Sequence, residues 1–306
     1  MATYFRENAR IEHPTRRAEV KPMLTDEQKN FYAENGYILI RGLLSPDEAT
    51  AYRQEIHDLM ERIAHFRSND ATWGAARDMT EKRTVLQHCH DVQFQSAAFA
   101  RLIVDERITG VAADIIGPNV QLHHTKAFVK PPEKGSPFPM HQDAPFFPHD
   151  RHSMIAAIVH FDDAPLEKGC VRVVPGSHKN GLLPHIADGS WHLDPKEYPV
   201  ADALPLPARA GDALFFSYLT IHGSGINESN EARTTLLIQM RDPTDPPTVR
   251  THESRGQGMM LRGIDPSCAT TRPSSETVHA VTMGGGMGMA MGGAMGGAMA
   301  MGGGEK

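Results

Sequence analysis

Apolar residues recur at three-to-four spacing in the N-terminal part of this chain, and from Val120 onward the pattern changes to short strand-like runs separated by Gly- and Pro-rich turns. Thr25 with Gln28, and Ser45 with Pro46 and Glu48, have the form of capping boxes that open helices, and residues 37–40 between them read as a short strand. In the second helix Tyr52, Ile56, Leu59, Met60 and Ile63 fall on one face, which predicts a stripe packed against a sheet. A further helix is predicted over 98–116, stopped by Gly117-Pro118. Strands are predicted at 121–129, 139–143, 155–162, 171–174, 213–221 and 233–241, divided by Gly- and Pro-rich turns. That spacing suits a jelly roll, so the expected fold is mainly β with flanking helices.

Composition narrows the functions such a fold can serve. Residues 21–282 suffice for a single domain, with a helical flank at about 21–119 and the jelly-roll core at about 120–245. Residues 1–20 are charged and irregular, a loose arm or a lid. Residues 283–306 are a Met/Gly/Ala tract without a core pattern, expected to be disordered. A net charge of −6 argues against a nucleic-acid surface. The three cysteines, Cys89, Cys170 and Cys268, are odd in number and far apart, and no apolar leader opens the chain, so a cytoplasmic protein without a disulfide framework is expected. No apolar run approaches the ~20 residues needed to cross a bilayer. The expected partner is a small-molecule substrate, with neither nucleic acid nor membrane involved, and nothing in the pattern fixes an oligomeric state.

The chemistry concentrates in His141-Gln142-Asp143 and a distant His222. On an extended strand alternate side chains share a face, so His141 and Asp143 would point together while Gln142 points away, and His222 would close a triangle. Two imidazoles and one carboxylate on one face of an octahedron make the facial triad of non-haem Fe(II), leaving three positions for reactants. Arg233 follows the Gly223-Ser224-Gly225 turn and opens a strand expected to pair antiparallel to the one ending at His222. Its guanidinium would offer a planar fork to the distal carboxylate of a 2-oxoacid that chelates the iron, and Ser224 could add a hydroxyl donor. A bare His-x-Asp is weak in a chain with 17 histidines; the whole set in this order is specific.

Lys130-Pro131-Pro132, His141-Gln142-Asp143, Gly169-Cys170, Pro175-Gly176-Ser177-His178-Lys179 and His222-Gly223-Ser224-Gly225 together resemble the phytanoyl-CoA dioxygenase family, from about Leu24 to Asp242. The resemblance implies an Fe(II)- and 2-oxoglutarate-dependent oxygenase on a cupin-like double-stranded β-helix. It implies His141, Asp143 and His222 as iron ligands, with Ser224 and Arg233 holding 2-oxoglutarate. It further places Lys126 as a neighbour of the co-substrate and His88 near a basic residue that reaches its other carboxylate. The implied reaction consumes O2 and hydroxylates an unactivated C–H bond while 2-oxoglutarate is decarboxylated to succinate and CO2. Asp143 favours hydroxylation over halogenation, because halogenating relatives carry a small residue where this carboxylate stands. Ile158 stands about where the peroxisomal enzyme has an aromatic, and the chain ends in Gly304-Glu305-Lys306 rather than a Ser-Lys-Leu address, so a metabolite other than phytanoyl-CoA is expected.

Other features read more plainly. Phe146 and Phe147 would line a substrate pocket or cover the barrel edge. Gly211-Asp212 and Pro175-Gly176-Ser177-His178 read as turn chemistry, and His88-Cys89-His90 and His123-His124 lack the further ligands a second metal needs. The alternatives to an oxygenase are a non-catalytic relative that binds metal or 2-oxoglutarate as a sensor or scaffold, and a zinc hydrolase built on the same triad.

Overall fold

The computed structural model describes residues 22–64, 87–132, 138–188, 190–249, 251 and 254–267. The N-terminal arm, residues 68–80, Cys268 and the Met/Gly tract lie outside the described residues. Residues up to Pro266 belong to one compact unit, and a second begins at Ser267.

The helical elements are α1 (Asp26–Asn35), α2 (Pro46–Ala64), α3 (Ala97–Leu102) and α4 (Glu106–Ile116). The strands are β1 (Tyr37–Ile40), β2 (Gln87–His90), β3 (Val120–Lys130), β4 (Phe138–His141), β5 (Ile155–His160), β6 (Val171–Val173), β7 (Ile186–Asp188), β8 (Ser190–His192), β9 (Leu204–Leu206), β10 (Ala213–Ser217), β11 (His222–Ser224), β12 (Arg233–Arg241) and β13 (Met260–Arg262). One sheet runs β1-β10-β5-β12-β3-β13 with β2 also along β3, a second runs β4-β11-β6-β9, and β7-β8 is a separate hairpin. All the pairings are antiparallel, the arrangement of a jelly roll.

The larger sheet is buried on both faces, which is why its strands read as nearly continuous apolar runs. Ala213, Phe215, Leu236 and Ile238 face the helices and join the main core with Ile56, Leu59, Phe99 and Val111. Their neighbours Leu214, Phe216 and Leu237 face the second sheet and pack with Val171 and Val173. Of the predicted stripe on α2, Ile56, Leu59 and Met60 are buried, and the Tyr52 ring lies 5.9 Å from Phe99 and 5.6 Å from Phe161, while the Ile63 side chain lies outside the described residues. Both capping boxes form, through reciprocal bonds between Thr25 and Gln28 and between Ser45 and Glu48. Among the described residues no helix is long and apolar enough to cross a membrane.

Two predicted elements are broken. The helix over 98–116 divides into α3 and α4, because Asp105 takes extended ψ (131°) and its carboxylate accepts the Arg107 N–H (2.8 Å) as an N-cap. The strand over 213–221 ends at Ser217, and the chain crosses to the second sheet before resuming as β11. The short strands β2, β9 and β13, which escape the sequence pattern, run along the margins of the two sheets.

Candidate active site

His141 ends β4 and His222 begins β11, and the two are direct partners in the ladder, with ring centroids 4.2 Å apart. Asp143 lies beyond the strand with helical backbone angles (φ −75°, ψ −25°). The expectation that strand alternation aligns His141 with Asp143 is therefore corrected. The chain turns after His141 because the N–H groups of Asp143 and Ala144 both donate to the Tyr218 carbonyl, at 2.9 and 3.1 Å. That turn brings Asp143 Oδ1 to 3.6 Å from Nε2 of His141 and 3.6 Å from Nε2 of His222. Gln142 does point away: its buried amide donates to the Gly181 and Leu219 carbonyls and accepts from the Leu183 N–H, pinning the loop behind the site.

Each imidazole is aimed by its own backbone. His141 Nδ1 lies 2.8 Å from the Pro139 carbonyl and His222 Nδ1 lies 3.0 Å from that of Thr220. A carbonyl only accepts, so Nδ1 carries the proton in both rings and Nε2 presents its lone pair to the centre. Burial, helped by the His141 ring, lowers the His222 pKa to about 4, so the ring stays neutral near pH 7. Burial opposes the charge on Asp143, yet His222, His141 and Gln239 outweigh it and hold the carboxyl below its ordinary range. Gln239 Nε2 donates to Asp143 Oδ2 at 2.6 Å, which leaves Oδ1 toward the imidazoles. The three donor atoms lie within 4.8 Å of one another, and among the described residues no other group of three such side chains does so.

Arg233 enters the same cavity from the opposite sheet. It begins β12, whose partners are β3 and β5, so the expected pairing with the strand that ends at His222 is corrected. The chain between Ser224 and Arg233 crosses between the sheets, and the guanidinium faces the triad across the gap instead of along a ladder. The cavity is lined by His141, Asp143, His222, Ser224 and Arg233, with Phe128, Phe138, Ile158 and Leu237 as apolar walls. Arg233 is buried, one of its amino groups donates to the Gly169 carbonyl, and its Nε has no partner. Burial lowers its pKa to about 10, which still leaves it charged at neutral pH.

The family model for phytanoyl-CoA dioxygenase (PhyH) matches residues 32–235, a span that holds the triad, Ser224 and Arg233. The chain belongs to this family. The peroxisomal phytanoyl-CoA dioxygenase of Bos taurus is 30% identical over 238 residues, covering 72% of this chain and 69% of the relative. A probable alpha-ketoglutarate-dependent hypophosphite dioxygenase of Stutzerimonas stutzeri is 26% identical over 225 residues, covering 69% of this chain and 77% of the relative. Among solved structures, the epimerase SnoN in complex with Fe3+, alpha ketoglutarate and nogalamycin RO matches with a TM-score of 0.61 at 26% identity, over 77% of this chain and 98% of that one.

The residues present fit iron and 2-oxoglutarate. Two imidazoles with fixed tautomers and one carboxylate are the donor set that ferrous iron takes in this class, and the unpartnered Nε of the buried Arg233 is a donor waiting for an acceptor. Lys126 lies on the inner face of β3, its Nζ 4.9 Å from the Phe128 ring centroid, and burial lowers its pKa to about 8 against the pull of Asp143. His88 stands opposite Phe128 on β2, and burial with the nearby Lys126 charge lowers its pKa to about 4. Both therefore flank the cavity on its β2–β3 side. Phe146 follows the triad directly, its ring centroid 6.2 Å from that of His141 and 6.5 Å from that of Trp191. Phe147 turns away into a small core with Ala144, Met154 and Tyr218, its ring 4.8 Å from His123.

Sequence reasoning passed over two side chains of this site. Gln239 was within reach of it, since alternation from Arg233 along β12 sets Thr235, Leu237 and Gln239 on one face. Lys130 appears in the motif Lys130-Pro131-Pro132, but its place beside Arg233 depends on the β3–β12 register. The plainer readings match local bonding: Asp212 accepts from the Gly42 and Arg209 N–H groups (2.8 Å each), and His178 Nε2 lies 3.2 Å from the Ala33 carbonyl.

Proposed function

We propose that this protein is an Fe(II)- and 2-oxoglutarate-dependent hydroxylase that oxidises an unactivated C–H bond of a small-molecule metabolite. The observation that carries the reading is the convergence of two Nε2 lone pairs and one carboxylate on a cavity that also holds a buried guanidinium. His141 and His222 would bind iron through Nε2 and Asp143 through Oδ1. Arg233 and Ser224 would hold the distal carboxylate of 2-oxoglutarate, with Lys126 and His88 as neighbours of the co-substrate. Once bound, these groups supply an oxidation that consumes O2 and converts 2-oxoglutarate to succinate and CO2.

The chain's own contribution is position and exclusion. Phe128, Phe138, Ile158 and Leu237 keep water from the cavity walls, and the backbone carbonyls behind His141 and His222 hold both rings in one tautomer. Phe146 would meet the substrate at the edge of the triad. Asp143 would take the coordination position that halide transfer needs vacant, which favours hydroxylation. The relatives compared above act, by name, on different small molecules, and one of them is an epimerase. The product therefore has to be identified chemically.

Three variants test the reading. His141→Ala should abolish Fe(II) binding in anaerobic titration, and Asp143→Ala should abolish O2-dependent release of succinate. Arg233→Ala should weaken 2-oxoglutarate binding by roughly 2–4 kcal/mol, because a carboxylate then loses its charged partner in a buried site. Unchanged binding or turnover in these variants would refute the assignment. Tight 2-oxoglutarate binding without any consumption across a metabolite screen would favour a sensor.

A further inference from the structure

Lys130 is 1% exposed, yet no carboxylate among the described residues neutralises it. Its register partner is Arg233, also buried, so two basic side chains stand side by side at one end of the cavity. Among the described residues neither is paired with an acid. Adjacent like charges in a dry site are costly unless something brings the missing negative charge. Burial and the Arg233 charge together hold the Lys130 amine well below its ordinary value.

The hydrogen bonds say where that negative charge would sit. Lys130 Nζ donates to Ser224 Oγ at 3.0 Å and to the Gly225 carbonyl at 2.5 Å. A hydroxyl that accepts from an amine has one proton left to give, and Ser224 lines the cavity, so that proton is available to a ligand there. The lysine is itself fixed from behind: Asn227 Nδ2 donates to the Lys130, Pro131 and Glu231 carbonyls at 3.4, 3.1 and 2.8 Å, tying the end of β3 to the turn that leads into Arg233.

We infer that Lys130 is a positioning residue for the distal carboxylate of the co-substrate: it turns the Ser224 hydroxyl toward that carboxylate and sets a second basic group beside Arg233. The inference rests on the reading of this cavity as a 2-oxoglutarate site. A lysine serving the fold alone, by satisfying the Gly225 carbonyl, would affect every 2-oxoacid equally. A lysine serving the distal carboxylate would affect those that carry one.

The test compares anaerobic equilibrium binding of 2-oxoglutarate and of 2-oxopentanoate, which has the same carbon chain without the distal carboxylate, to the Fe(II)-loaded protein by calorimetry. Lys130→Met, which keeps most of the side-chain volume, should weaken 2-oxoglutarate about 10- to 100-fold and leave 2-oxopentanoate within about twofold. Adding Ser224→Ala to Lys130→Met should cost less than Ser224→Ala costs alone, because the hydroxyl has already lost its orientation. Lys130→Gln, polar and uncharged, provides the same comparison if the Met variant melts too low for titration. An unchanged 2-oxoglutarate affinity, or equal weakening of both acids, overturns the role of Lys130. A wild-type protein that binds neither acid overturns the co-substrate reading instead.

Discussion

Gln239 shows how a neutral side chain can set the geometry of a charged one. Asp143 has two oxygens and the centre needs one of them, so an amide bonded to Oδ2 chooses which oxygen the imidazoles face. In Gln239→Leu the shape is nearly kept while Oδ2 becomes a buried acceptor without a donor, and the carboxylate is released to turn. Metal affinity should fall about 10- to 100-fold, as for other groups that orient a ligand from behind, while the fold is retained. Competition between the protein and a chelator for Fe(II) or Mn(II) measures this directly, and an unchanged affinity would remove Gln239 from the site. At this scale much was legible: residue type and order singled out the triad, Ser224 and Arg233, and all five line one cavity. Lys130 was hidden because its meaning comes from what stands opposite it, and a neighbour across a ladder leaves no trace in local spacing.

Between elements, the decisive contact is the ladder of β4 with β11, which pairs His141 with His222. Gly223 sits inside it, and a Cβ there would come within 2.7 Å of Met140 Sδ and 2.7 Å of the Phe138 carbonyl. The thioether can move but the backbone oxygen can do so only by widening the ladder. Gly223→Ala should therefore cost roughly 1–3 kcal/mol of stability in urea unfolding and weaken Fe(II) binding in the same protein. Loss of stability with metal affinity intact would show that the strain relaxes away from the histidines. The same scale explains the misread elements. An apolar run through 213–221 cannot show that the chain changes sheets at Tyr218, since both sheets bury it. The cap at Asp105 was available as a signal, but the buried stripe through Phe99, Leu102, Ile108 and Val111 continues across the break and reads as one helix. The convergence of Arg233 with the triad was expected for the wrong reason: it comes from two sheets facing each other, not from a hairpin.

Across the whole molecule, buried neutral histidines make stability depend on acidity. His160, on the inner face of β5, is fully enclosed with neither ring nitrogen hydrogen-bonded, and burial, with the nearby Arg233 charge, lowers its pKa to about 3. In the unfolded chain a histidine titrates near 6.5. As pH falls below that value the unfolded state takes up a proton that the folded state refuses, so the unfolded state is favoured from about pH 6.5 down toward pH 3. At about 1.4 kcal/mol for each pH unit, His160 alone should cost roughly 2 kcal/mol of stability at pH 5 relative to pH 7.5. Leucine in its place is similar in size, carries no proton and leaves no unpaired nitrogen, so His160→Leu should hold or raise stability at pH 7.5 and lose about 2 kcal/mol less on acidification. Urea unfolding of the metal-free proteins at both pH values decides the matter. His222 and His88 titrate low as well and remain in the variant, so the slope should shrink without vanishing. Identical slopes for the two proteins would mean that His160 reaches water and carries its proton in the folded state.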